Sequence, residues 1–217
     1  MDPHTHASVE DTKETGRIEA FSDGVFAVAI TLLVLDLRVP HDIAEGRVLL
    51  AALLRLWPAY AGFVTSFATI GIMWVNHHRL FTMIRRSDDV LLLLNGLLLL
   101  GITFVPFPTA VLAEYFPRTG RHVAAEVYSG TYVVIAIFFN LLWRYASHRG
   151  RLLGKGADPH TVAAITRGYS FGPPSYLLSF ILAFLSAEAS LAMNFALAIF
   201  FALPSRNPLL RKYVSGG

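Results

Sequence analysis

Apolar runs separated by short charged patches set the organisation of the chain. Leu56–Asn76, Val90–Ala113, Val127–Trp143, Tyr169–Ala187 and Ala189–Ser205 contain no Asp, Glu, Lys or Arg. Each approaches or meets the roughly 20 residues an α-helix needs to cross about 30 Å of hydrocarbon. Hydrocarbon offers the backbone no water to bond, so each run is predicted to be a helix rather than a lone strand. The last two are divided at Glu188, where a tight turn is expected. Arg17–Leu37 is a further candidate with a short uncharged centre, Gly24 to Leu35, bounded by Asp23 and Asp36. Such a helix suits a position among other helices, where protein partners replace the water its charged ends need. The pattern predicts six spans.

Charge then orients them. With the N-terminus on the cytoplasmic side, only Arg38, Arg47, Arg55, Arg118 and Arg121 of the 18 Lys and Arg residues fall in outer segments. That asymmetry fits six spans with both termini inside. The first residues lack the apolar centre of a secretory signal, so 1–16 is expected to be a mobile cytoplasmic tail, 17–205 the membrane domain and 206–217 a cytoplasmic C-terminal tail. Composition agrees: 54% of residues are hydrophobic and 15% charged, with a mean hydropathy of +0.53. The chain has no cysteine, which removes disulfides, thiolate metal sites and cysteine nucleophiles. Its net charge of +3 forms no interleaved basic and aromatic strip, so nucleic acid is not an expected partner. Neither half repeats a motif of the other, so any symmetry is expected to come from oligomerisation.

Within the first span, ideal helical phase stacks Val28, Leu32 and Leu35 on one face, with Thr31 on its flank and Gly24 one turn away. Periodicity alone favours ordinary packing for this stripe, because Val and Leu at such spacing occur in any buried helix. A carbonyl-ring potassium filter is not spelled out: Gly168–Gly172 reads GYSFG. Asp23 points away from the stripe toward neighbouring helices, where it requires hydrogen-bond donors.

The run Arg17, Ile18, Glu19, Ala20, Phe21, Ser22, Asp23, followed by GVFAVAITLLVLDLRVP, resembles the Arg-x-x-x-Phe-Ser-Asp signature of the transmembrane protein 175 family. The resemblance continues through TSFATIGIMWVNHHRLF and LLLLNGLLLLGITFVPFPTAVL, covering the first half of the chain. It implies an all-α integral membrane protein with six transmembrane helices per protomer, four copies around an axis and a pore lined by the first helix. A single six-helix unit looks like the prokaryotic form, which sits in the plasma membrane. Carried over, Val28, Leu32 and Leu35 match apolar pore layers and Thr31 a threonine layer implicated in potassium preference. Val28 stands where relatives often have a larger isoleucine or leucine. The resemblance also implies that Arg17, Ser22 and Asp23, with Phe21 in the same signature, form a polar clamp with Trp74, His77 and Asn95 of the second and third spans. The implied permeant species is potassium, with other monovalent cations, and no cofactor is required.

Other classes remain open on residues alone. Asp23, His77 and Asn95 could serve a proton-coupled secondary transporter, which broken helix pairs and inverted repeats would favour. An intramembrane enzyme lacks a nucleophile and base at site-defining spacing, and no His-Glu-x-x-His pattern suggests a metal hydrolase. A purely structural membrane subunit is the remaining alternative. Pro106 and Pro108 are expected to kink or end the third span, and Pro173 with Pro174 to perturb the fifth.

Overall fold

The computed structural model describes residues 3–40, 46–154 and 156–202. Its architecture is all-helical: α1 (Pro3–Leu32), α2 (Gly46–Arg55), α3 (Trp57–Met83), α4 (Asp89–Phe104), α5 (Pro106–Tyr115), α6 (Arg121–Ser147), α7 (Pro159–Leu185) and α8 (Ala187–Ala202). Thr15–Asp36, Trp57–Met83, Asp89–Tyr115 and Arg121–Gly150 are long and apolar enough to cross a membrane, and Ala187–Phe201 is apolar but shorter. α7 has a span's length, but its first half is polar.

Local chemistry sets the helix ends. The Asp88 side chain accepts the Leu91 amide at 2.9 Å and opens α4, and Asp158 does the same for α7 through the amides of His160 and Thr161. Pro106 has no amide to offer Ile102, so the Ile102 carbonyl takes the Val105 amide at 3.2 Å instead and the helix breaks into α4 and α5. Pro173 and Pro174, by contrast, leave α7 continuous. The Tyr169 carbonyl that Pro173 cannot serve is capped from α6 by Asn140 Nδ2 at 3.0 Å. That outside donor explains why α7 stays continuous through its prolines.

Several expected boundaries shift. α1 begins at Pro3, so helical backbone extends upstream of Arg17 into the stretch expected as a tail. Met1, Asp2 and the expected tail 206–217 lie outside the described residues. α7 starts at Pro159 rather than Tyr169, and the turn before α8 falls at Ser186, with Glu188 already in its first turn. Ser186 caps that turn, its hydroxyl accepting from the Ala189 amide at 3.1 Å and donating to Glu188 at 2.9 Å. α2 was not expected from the apolar pattern, because its ten residues include Arg47 and Arg55 and leave only a short apolar stretch between them.

The core lies around α6, which packs on α4, α5, α7 and α8 and buries Tyr128, Tyr132, Ile135, Leu142 and Trp143. Two polar clusters sit within it. Ser66 of α3 bonds Thr109 of α5 at 2.8 Å and Tyr128 of α6 at 3.0 Å. Asn194 of α8 donates to Ser129 of α6 at 3.0 Å and to Ser179 of α7 at 2.8 Å. Side chains that satisfy one another across helices hold a membrane bundle together without exposing polar groups to lipid.

At one end, the α3–α4 and α6–α7 linkers form a small backbone clip. Ile84 and Leu153 pair as an antiparallel bridge, with Arg85 N bonded to Leu152 O at 2.9 Å and Gly154 N to Met83 O at 3.1 Å. Arg149 and Gly150, at φ 54° and 66°, turn the chain into this clip, and a left-handed arginine there is strained where glycine is not. Burial pushes the Asp88 carboxyl up, but the hydrogen bond from Tyr145 at 2.7 Å, the backbone bonds and Arg151 outweigh it and hold it below its usual value.

Candidate ion pathway

α1 divides into two faces. Ile18, Ser22, Phe26, Ala29 and Leu33, spaced by three and four residues, are buried against α3 and α4. The opposite face is open: Phe21 is 68% exposed, Val28 54%, Leu32 40% and Leu35 71%, with Gly24 and Thr31 also exposed. The four residues proposed from sequence as an ion pathway therefore share one uncovered surface of the protomer.

The helix does not keep ideal phase along that surface. From Leu33 to Asp36 it tightens into a 3-10 turn. Side chains three apart eclipse in such a turn, so Leu35 stands above Leu32 and Val34 above Thr31 more closely than 100° steps allow. The Thr31 hydroxyl donates to the Val28 carbonyl at 2.9 Å, which commits its proton to the backbone and leaves oxygen lone pairs as its outward chemistry.

Behind this face lies a polar anchor. Trp74 Nε1 donates to Asp23 Oδ1 at 2.8 Å. Ser22 donates to the Ile18 carbonyl at 2.8 Å, so its oxygen receives Asn95 Nδ2 at 3.0 Å. That contact turns the Asn95 carbonyl toward His77 Nε2, 2.9 Å away, and places the imidazole proton on Nε2. His77 stacks on Phe81 at 4.5 Å between ring centroids and lies 5.4 Å from Phe26. Its Nδ1 is buried without a hydrogen-bond partner among the described residues.

The structure thus brings Ser22, Asp23, Trp74, His77 and Asn95 together. Arg17 and Phe21 are exposed and stand outside this set. Sequence reasoning missed Glu19, which meets His78 Nδ1 at 2.5 Å and forms a second rung below Asp23–Trp74. The signal was present: Glu19 and Asp23 are four residues apart on one helix, as are Trp74 and His78 on the other. No group of three or more His, Cys, Asp or Glu able to hold a metal occurs among the described residues.

Comparison with known proteins places these features. The family described as endosomal/lysosomal potassium channel TMEM175 matches residues 17–106, which contain the exposed face and the whole anchor. A protein of Chamaesiphon minutus named as a potassium channel is 56% identical over 196 residues, covering 90% of this chain and 97% of its own length. One from Streptomyces collinus, also named as a potassium channel, is 46% identical over 189 residues, covering 87% and 91%. The crystal structure of a lysosomal potassium-selective channel TMEM175 homolog from Chamaesiphon minutus superposes with a TM-score of 0.81 at 54% identity, covering 89% of this chain and 98% of that one. The chain accordingly belongs to the TMEM175 family, a family of integral membrane ion channels and not of enzymes.

Proposed function

We propose that the chain is one protomer of a homotetrameric cation channel that prefers potassium modestly, with six spans per protomer and α1 of each copy facing a shared axis. The observation that carries this reading is the division of α1: one face is bonded into its own protomer while Val28, Thr31, Leu32 and Leu35 stay uncovered on the other. The potassium-channel names of the relatives support the permeant ion.

Two flanks support the assembly. α1 lies in the groove between α3 and α4, whose outer faces are both apolar. Trp57, Tyr60, Val64, Phe67, Gly71 and Trp74 of α3 alternate by three and four residues, the spacing of a helix–helix seam. Leu93, Gly96, Leu100 and Thr103 follow the same rhythm on α4. A β-carbon built on Gly71 or Gly96 meets nothing within 4 Å, so neither glycine is needed for packing inside the protomer. Rotation about an axis in front of α1 sets the α3 flank of one copy against the α4 flank of the next, a heterologous contact that closes into a ring.

Selectivity then comes from partial dehydration. Rings of Val28, Leu32 and Leu35 offer no replacement for lost water, and sodium holds its water more tightly than potassium. Four Thr31 oxygens, already turned acceptor-side out, compensate the larger ion in part. By the positive-inside pattern the clip end of the bundle faces the cytoplasm, and the membrane is the plasma membrane of a prokaryotic cell.

Recording from the purified chain in a planar bilayer tests the reading. Stepwise unitary currents are expected, with a reversal potential favouring potassium over sodium that shrinks in Thr31→Val. Slow coupled flux without unitary events would point to a proton-coupled transporter, and an unchanged reversal potential in Thr31→Val would remove the threonine ring from the account.

A further inference from the structure

Away from α1, a cavity of about 480 Å³ opens between α3, α6, α7 and α8. It lies in the half of the bundle that carries the backbone clip, bounded by Met73 of α3, Phe139 of α6 and Phe201 near the end of α8. Small residues create it. Ala164, Gly168 and Gly172 recur every four residues on α7, opposite Ala136 of α6. A β-carbon on Gly168 would meet nothing within 4 Å, so the space in front of it is open, and one on Gly172 would come 3.8 Å from the Ala136 β-carbon.

The walls are mostly apolar, with Thr69, Asn76, Tyr169 and Tyr176 as the uncharged polar residues of the lining. The volume falls within the range of about 300–1,000 Å³ typical of small-molecule sites. Its lining has one exposed cation, Arg167, which forms no ion pair or hydrogen bond among the described residues. Arg144 of α6 is already bonded to Ser170 of α7 at 3.1 Å. An apolar hollow with an unpaired guanidinium beside it matches one class of ligand in particular, a hydrocarbon chain ending in an anion.

We propose that this cavity is a binding site for an anionic phospholipid of the leaflet on the clip side, an acyl chain filling the hollow in front of Gly168 and the head-group phosphate pairing with Arg167. The bilayer supplies hydrocarbon at high concentration, and guanidinium matches phosphate in geometry as well as charge. The inference rests on the chain's membrane residence and not on the pore reading, so either can fail without the other.

Native mass spectrometry of the purified full-length protein, equilibrated with equal amounts of phosphatidylglycerol and phosphatidylcholine of the same chains, provides the test. The wild type is expected to retain phosphatidylglycerol about fivefold better at this site, the factor one basic side chain contributes near an anionic surface. Arg167→Gln should abolish that excess, lowering phosphatidylglycerol retention more than phosphatidylcholine retention, and Arg167→Glu should reverse the preference. Gly168→Leu should lower retention of both lipids. Ala164→Phe, which fills the hollow from the next turn, serves as the second variant, and a thermal melt verifies that each protein is folded. An undiminished phosphatidylglycerol excess in Arg167→Gln overturns the head-group assignment. Unchanged retention of both lipids in a folded Gly168→Leu or Ala164→Phe variant overturns the site.

Discussion

The polar anchor behind α1 is a relay in which each side chain fixes the next. Ser22 must accept from Asn95 because its own hydroxyl donates to the Ile18 carbonyl, Asn95 must therefore present its NH2 group there, and His77 must carry its proton on Nε2. Replacing Asn95 with Leu strands two buried polar groups at once. We expect a loss of about 1–3 kcal/mol, measured by unfolding in mixed micelles, the cost of leaving a buried group unpaired. Asp23→Ala leaves the Trp74 indole without its acceptor, and the proposed tetramer is expected to dissociate more readily on size-exclusion chromatography. A fully stable Asp23→Ala tetramer with normal currents would remove the anchor from the account of assembly. The Arg17–Asp23 run was legible because it is contiguous and resembles a family signature. The Glu19–His78 rung was not, because its partners are remote in sequence and only the docking of α1 on α3 brings them together.

Between elements, small residues decide how closely helices approach. A β-carbon on Gly101 of α4 would sit 2.8 Å from Ile135 Cγ1 of α6, which is fully buried, so Gly101→Ala forces the two helices apart. The expected cost is about 1–3 kcal/mol, seen as a lower melting temperature. Phe67→Lys places a charge in the middle of the proposed α3 seam and is expected to yield monomers by light scattering in detergent, with the monomer itself still folded. The Asp88 bonds tie α4 to α6 and titrate. Its carboxyl is held below the ordinary value near 3.9, so its contribution is complete above that value and is lost only as pH falls through the lower, folded one. An Asp88→Asn variant should therefore have a flatter stability profile between about pH 5 and pH 2. Apolar runs in the sequence located the membrane helices, since solvent in lipid sets their composition. The break at Val105 was foreshadowed by Pro106. The continuity of α7 was hidden, because the donor that rescues it, Asn140, belongs to another helix. The short α2 escaped notice because its own arginines, Arg47 and Arg55, leave too short an apolar run between them to read as a span.

Across the whole molecule, α3 links the α1 anchor to the core, through Trp74 on one side and Ser66 on the other. α6, with α4, α5, α7 and α8, shares the buried aromatic and serine-rich core, and the clip joins its linkers through main-chain hydrogen bonds. Fold class and membrane character were readable from hydropathy, whereas the partition of α1 into a bonded and an open face required coordinates, because periodicity gives a stripe without saying what covers it. Among the described residues α1 is joined to α3 and α4 by side chains, at Glu19, Ser22 and Asp23. In the proposed tetramer, displacing that rod would break side-chain hydrogen bonds to α3 and α4 while every main-chain pairing of the clip persists.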